Sequence, residues 1–443
     1  MNRYSEYKES GVEWVGEVPE HWKTHRLKEI ISKLEQGWSP NAATWPADKG
    51  EYGVLKLSAI SGGKFIESEN KELAEHTSLG QLEVSSGVLL ITRSNTPSLV
   101  GECCPVNHVP YTNLIVPDLI FAITPSVRLT ALAFLAYQMN SASFRWLKRV
   151  TARGLNDSMV KISQGTIKNW RLLTPPLPEQ TAIAAYLDTK TAQIDRQIDL
   201  LSQKATQYRN LKQSLINETV TRGLDKSVPM KDSGVEWIGE VPMHWEMTPI
   251  RNLLENRLDK NVGNTEVEYL SLVAGIGVIP YAEKGNVGNK KPEDLEKCKM
   301  VFEGDFVLNS MNFGIGSFGI SRYNGVCSSV YIVMRPKRIS NGEFLHRIFQ
   351  VKPFQKFMSS YGKGIMEIRM AIKWEHLKTI EIPCPPLIEQ TAIAVYLDDK
   401  AAQIDRIVTA INTHIDKLKD LRKALINDVV TGKIKVVSEG QAA

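Results

Sequence analysis

The stretch Pro175-Pro-Leu-Pro-Glu-Gln-Thr-Ala-Ile-Ala-Ala-Tyr-Leu-Asp188, PPLPEQTAIAAYLD, returns at 385–398 as PPLIEQTAIAVYLD. Working outward, Gln193-Ile-Asp-Arg196 returns as Gln403-Ile-Asp-Arg406, and Leu215-Ile-Asn217 as Leu425-Ile-Asn427. Upstream, SGVEWVGEVPEHW (10–22) returns as SGVEWIGEVPMHW (233–245), with eleven of thirteen letters unchanged. The upstream segment is displaced by 223 positions and the later block by 210, so the 13-residue difference is absorbed between them. Duplication on this scale is the first thing to settle in a sequence. Each half has a fixed opening segment, a variable middle and a fixed close.

The closing segments read as long helices. With Leu187 as an a position, the series continues through Ile194, Leu201, Tyr208 and Leu215, with Ile198 and Ala205 between. The second copy gives Leu397, Ile404, Ile411, Leu418 and Leu425, with Ala401, Val408 and Ile415 between. Apolar spacing sustained over four heptads argues for a coiled coil. Pro175 and Pro176 cannot lie inside a helix, and Glu179 puts negative charge in the first turn, so initiation falls near Pro178. About 40 residues at a rise of 1.5 Å make a rod on the order of 60 Å. A lone helix of this kind would read as a dimerisation arm; here the chain supplies a matching partner.

The middles, roughly Lys23 to Thr174 and Glu246 to Cys384, share only hints: Gly87-Val-Leu-Leu beside Gly304-Asp-Phe-Val, and Gly154 beside Gly364. Short β-type runs such as 87–92 and 330–334 alternate with helical patterns at 131–139 and 343–350. The fold class is α+β: two mixed heads separated by two long antiparallel helices, related by a pseudo-two-fold internal repeat. The expected divisions are 1–174 (opening segment and first head), 175–223 (first helical spacer), 224–384 (linker, repeated opening segment and second head), 385–435 (second spacer) and a tail, 436–443. A mixed domain of about 140 to 150 residues has the usual size for an independent core.

The bulk numbers fit. A length of 443 residues, 42% hydrophobic and 23% charged, is an ordinary soluble composition of two to four domains. No apolar run reaches the roughly 18 residues of a membrane span, and the N-terminus has no signal architecture, so a cytoplasmic protein is expected. Five cysteines without C-x-x-C spacing read as free thiols, not as a zinc site. The formal charge of +5 is compatible with nucleic acid without requiring it.

Two copies about a two-fold axis would place unlike heads at opposite ends of the rod, as in a caliper. Duplex DNA suits such a tool, because its local two-fold pseudosymmetry offers separate half-sites along one face. At ~3.4 Å per base pair, a rod of ~60 Å limits their separation to under about 18 pairs.

In these motifs, duplicated in order around two dissimilar middles, the chain resembles the specificity (S) subunit of type I restriction-modification systems over essentially its whole length. The resemblance implies that each middle is a target-recognition domain for one half of a split DNA sequence. It implies that the helices dock methyltransferase (M) subunits, two in number, and that a motor-nuclease restriction (R) subunit joins the full complex. It implies a non-catalytic chain without its own cofactor, with S-adenosylmethionine, ATP and Mg on partner subunits.

The residues agree with a non-catalytic reading. Gly314-Ile-Gly-Ser-Phe-Gly319 matches G-x-G-x-x-G, but the β-type residues after it do not form the required helix, which favours a turn between strands. Gly62-Gly-Lys64 lacks the spaced glycine of a P-loop. Thr174-Pro-Pro-Leu177 and Cys384-Pro-Pro-Leu387 echo amino-methyltransferase motifs without their flanking acidic or amide and aromatic residues. His21 and His244 stand beside tryptophans and read as packing or capping groups. No catalytic or metal-binding residue is expected.

Base readout belongs to Arg, Asn and Gln, whose donors match guanine and adenine edges, while Lys and Ser/Thr serve mostly phosphates. Loop stretches with these groups give the DNA-binding candidates Arg93, Ser94, Asn95, Arg153, Asn156 and Lys161 in the first head. In the second they are Asn309, Asn312, Arg322, Lys363, Arg369 and Lys373. The opening segment itself hardly differs between copies, so it reads as a mount for each head. Gly11 and Gly16 permit turns, and the tryptophans offer apolar anchoring faces. By the repeat, it should meet the end of the second helix near Val430 to Gly432. Two other readings stay open from sequence alone: a helical interaction scaffold without sequence-specific DNA binding, and an autonomous methyltransferase or nuclease.

Overall fold

The computed structural model describes residues 3–73, 82–108, 113–156, 159–263, 266–287, 290–311, 313–360 and 371–436. The chain forms two compact units, one made of Met1–Leu201 with Thr413–Ala443 and the other of Ser202–Asn412. The first long helix, Leu177–Arg222, and the second, Leu387–Val430, each begin in one unit and finish in the other. A unit is therefore a head, the start of the helix that follows it and the end of the other helix.

The first unit is centred on a four-stranded antiparallel sheet in the order Cys103–Pro105, Leu89–Thr92, Ile120–Pro125, Ile31–Gln36. Side chains alternate across a strand. Leu89 and Ile91 accordingly join Phe134, Phe144 and Leu147 of the helices Leu132–Asn140 and Ala142–Thr151, whereas Leu90 faces a second core with Leu55, Ile60 and Leu114. Burial on both faces explains why Val88-Leu-Leu-Ile91 is unbroken apolar sequence.

The second unit repeats this plan with other residues. Its sheet runs Leu254–Arg257, Tyr331–Pro336, Phe306–Asn309, Phe318–Ile320. Phe306 and Leu308 pack on Phe344, Ile348 and Phe349 of the helix Gly342–Gln350, while Val307 turns to Leu270, Val278 and Val301. Gly87 and Gly304 each take φ +86° two residues before the central strand, so the faint GVLL/GDFV echo marks the same turn in both heads. Gly364 lies outside the described residues. The Gly314–Gly319 motif forms a short 3-10 turn, Phe313–Ile315, followed by the strand Phe318–Ile320, and so does not open a helix.

Within each unit the helix segments run antiparallel. In the first unit, Glu179 and Gly432 both meet Trp22, while farther along Asp195 meets Arg422. In the second, Gly223 approaches Glu389, and Lys212 meets Asp405.

The most deeply buried positions of the first helix depart from a strict heptad. Ile183, Ile194, Ala205 and Ile216 are buried at steps of eleven, and so are Ile393, Ile404, Ile415 and Ile426. A step of eleven is 3.67 residues per turn, close to that of a straight helix and not the 3.5 that imposes a left-handed supercoil. Leu187, Ile194, Leu397, Ile404, Ile411, Leu418 and Leu425 are buried as the heptad reading expects. In the first helix Ile198, Leu201, Tyr208 and Leu215 are only half-buried, because the seam drifts toward Ala205 and Ile216.

Candidate nucleic-acid interface and its mounting

Several letters of the repeated blocks have a mechanical task. Glu179, in the first turn of its helix, accepts from the buried Trp22 indole N–H at 3.1 Å and from His21 Nε2 at 2.8 Å; the Tyr4 hydroxyl donates to it as well. Glu389 accepts from Trp245 Nε1 at 3.0 Å and His244 Nε2 at 2.9 Å. The histidines serve the mount, as their place beside the tryptophans suggests. Burial and the carboxylate hold the Tyr4 phenol well above its usual range.

The neighbouring glutamine reaches the opposite way. Gln180 Nε2 donates to Leu129 O and Pro175 O, both at 2.9 Å, and its Oε1 accepts from Ala131 N at 2.9 Å. Gln390 does the same with Ile339 O, Pro385 O and Asn341 N. The loops that lead into the helices Leu132–Asn140 and Gly342–Gln350 are thus clamped to the long helices.

Asp188 accepts from the Tyr137 hydroxyl at 2.7 Å and Asp398 from Arg347, so each head helix is tied down a second time. Burial, with that carboxylate, pushes Tyr137 up to about 12. Asp195 forms an ion pair with Arg422 at 3.0 Å and Asp405 with Lys212 at 2.6 Å, each joining the two long helices inside one unit.

The opening segment is a hairpin, Tyr7–Val12 against Val15–Pro19, echoed by Met230–Asp232 against Glu240–Pro242. Gly11 and Gly234 take φ +66° and +69°. Gly239 is also left-handed at +71°, but Gly16 is not, so only the second copy needs glycine at that turn. The Tyr7 hydroxyl donates to Gly432 O at 3.1 Å, and a Cβ on Gly432 would stand 2.7 Å from Pro19 Cγ. The hairpin meets the end of the second helix, as the repeat requires, and Gly223 makes the matching approach to Pro242 and Trp245.

The DNA-binding candidates of the first head come together. Ser94–Asn95, Met159–Lys161 and Arg153–Asn156 form one small sheet with Met159–Lys161 in the centre, pairing Ser94 with Lys161 and Lys161 with Arg153. Arg93 leads into it: its backbone N–H donates to Leu119 O at 2.8 Å, and its guanidinium donates to Asp118 O at 3.3 Å and lies 5.9 Å from the Phe121 ring. Asn156 lies in the strand Arg153–Asn156, opposite Met159.

The second head gathers fewer. Asn309 ends its strand nearly buried, and its Oδ1 accepts from Met311 N at 3.1 Å. Ser310 O accepts from Ile372 N, as Arg93 O does from Ile162 N, which brings exposed Lys373 to the Asn309 end of the sheet. Arg322 sits at the other end, beyond Ile320, which pairs with Phe306; it does not join Asn309. Asn312, Lys363 and Arg369 lie outside the described residues.

Burial pushes all five thiols up, away from the thiolate that nucleophilic chemistry needs. Among the described residues no group of three or more metal-ligating side chains is gathered, and no helix is long and apolar enough to cross a membrane.

What fold and site define is a duplicated mount carrying two different heads. Comparison with known proteins gives this class its family: a family model described as the type I restriction modification DNA specificity domain matches residues 19–204 and 259–417, and the chain belongs to that family. A putative type I restriction enzyme MjaX specificity subunit of Methanocaldococcus jannaschii is 24% identical over 439 residues, covering 95% of this chain and 96% of that protein. The EcoEI specificity subunit of Escherichia coli is 26% identical over 174 residues, 39% of this chain and 29% of its own. A solved chain from work on complex assembly and conformational transition of the type I R-M system superposes with a TM-score of 0.70 at 18% identity, covering 94% of this chain and 99% of its own. The HsdS subunit of Thermoanaerobacter tengcongensis gives 0.53 at 18% identity, covering 94% and 98%. Specificity subunits are non-catalytic parts of a larger restriction-modification complex.

Proposed function

We propose that the heads within 23–174 and 246–384 each read one half of a bipartite DNA sequence, and that the long helices dock methyltransferase subunits, through which a motor-nuclease subunit is recruited. The observation that carries this reading is the contrast between a mount whose glutamate, glutamine and aspartate contacts recur in both copies and heads that share a sheet but not a surface. What differs between copies is free to specify; what is repeated holds. Docking on the helices is supported by exposed Leu200, Leu211 and Leu421, the last two 210 positions apart and thus equivalent. Methyl transfer and ATP-driven steps, with S-adenosylmethionine, ATP and Mg, belong on this account to the partner chains, and the complex works in the cytoplasm.

The test is assembly with the methyltransferase partners and titration with duplex DNA at several salt concentrations. Sequence-specific binding with a steep salt slope is expected, because phosphate contacts release counterions. Salt-independent or absent binding by the assembled complex would favour a purely protein-binding scaffold.

A further inference from the structure

Resting on that reading, we infer that Lys161 and Arg153 form a seat for a DNA backbone phosphate, so that they position the first head and do not read bases. Lys161 lies between Ser94 on one neighbouring strand and Arg153 on the other, directly paired with both. Directly paired residues of antiparallel strands project from the same face, with Cβ atoms about 4.5–5.5 Å apart. The register therefore makes one row of hydroxyl, ammonium and guanidinium.

The two cations of this row are unfinished without an anion. Like charges directly opposite one another destabilise a sheet. Arg153 and Lys161 are both exposed, and neither has an acidic partner among the described residues.

The surroundings select a polyanion. Besides the buried Lys148, residues 145–171 hold six basic side chains (Arg145, Arg149, Arg153, Lys161, Lys168, Arg171) and one acidic one, Asp157, which lies outside the described residues. A phosphate diester oxygen would accept from both cations and relieve the repulsion between them. Asn95, next to Ser94, pairs with Val160 and so projects from the opposite face. That separates a phosphate-holding face from a side chain suited to adenine.

The experiment uses the assembled complex and a duplex carrying its methylated sequence, with affinity measured from 50 to 200 mM NaCl for wild type, Arg153→Gln and Lys161→Gln. Each variant should lower the salt slope by about 1, so that wild type loses about threefold more affinity than the variant across this range. Binding should weaken evenly over single-base variants of the half-site, and the methylated sequence should stay the same. The melting temperature of the free chain should hold or rise, because a repulsion is removed. An unchanged slope, a relaxed preference at one base pair, or a fall in melting temperature would overturn the assignment. A wild-type complex without sequence-specific, salt-dependent binding would instead sink the functional reading beneath it.

Discussion

Asn427 Oδ1 accepts from both the backbone N–H of Ser143, at 3.1 Å, and its hydroxyl, at 2.6 Å, and so caps the helix Ala142–Thr151 from the end of the second long helix. Its counterpart 210 positions earlier, Asn217, has a buried Oδ1 without a partner among the described residues. The position equivalent to Ser143 is Pro353, near the start of the helix Lys352–Ser360, and proline has neither an N–H nor a hydroxyl to offer. One repeated asparagine thus caps a head helix in the first unit, while the same oxygen in the second has no partner among the described residues.

Asn427→Ala should therefore cost the full chain about 1–2 kcal/mol, the ordinary loss of a helix cap, whereas Asn217→Ala should cost less. Urea unfolding of both variants checks the order; equal losses would mean that the unpaired acceptor has found a partner elsewhere.

The carboxylates that hold the tryptophans give a second expectation. Glu389→Gln keeps shape but loses the charge that draws the Trp245 and His244 donors, and should destabilise by about 1–3 kcal/mol. Glu179→Gln should cost at least as much, because Tyr4 adds a third donor there and the matching position, Ser227, bears no phenol. Denaturant midpoints at constant slope would show it.

Gly432 and Gly234 separate backbone strain from steric clash. Both are left-handed, at φ +75° and +69°, so alanine costs each about 1–2 kcal/mol of strain. Only at Gly432 would the new Cβ also collide, 2.7 Å from Pro19 Cγ and 3.2 Å from Trp22 Cη2; around Gly234 nothing lies within 4 Å. Gly432→Ala should be clearly the worse variant in thermal melts.

Lys148 carries a pH signature. Its ammonium is fully buried in the first head with no hydrogen-bond partner among the described residues, and desolvation, only partly offset by Cys103, pushes it down to about 8. Below pH 8 both folded and unfolded chains hold the proton. Between about 8 and the ordinary lysine value near 10.4 the unfolded chain holds more, so stability rises with pH across that window. Lys148→Met should stabilise the protein at pH 7 by about 3 kcal/mol, since every tenfold weakening of proton binding on folding corresponds to ~1.4 kcal/mol, and should remove the rise. Identical pH profiles for variant and wild type would contradict it.

The repeat made the fold legible because twice-written residues are those with contacts to keep: Glu179 and Glu389, Gln180 and Gln390, Asp195 and Asp405 each do one thing in both units. The sequence could not assign those contacts, since Gln180 acts on Leu129 and Glu179 on Trp22, partners 51 and 157 residues away. In the first helix the heptad positions Leu201, Tyr208 and Leu215 are half-buried, with Leu201 and Leu215 packed at the edge of the cores, while Ala205 and Ile216 are buried more deeply. Candidate contacts gathered well in the first head because Arg153–Asn156 and Met159–Lys161 are a local hairpin. In the second, Arg322 and Asn309 are near in sequence but occupy opposite ends of a strand pair, a separation set by register that composition does not report.

The most direct test of the account is methylation mapping in cells that carry this chain with its partners, before and after residues 23–174 are exchanged for those of a relative with a different target. The account predicts that one half of the methylated sequence changes while the other half is retained. Changes in both halves, or in neither, would contradict the assignment of one half-site to each head.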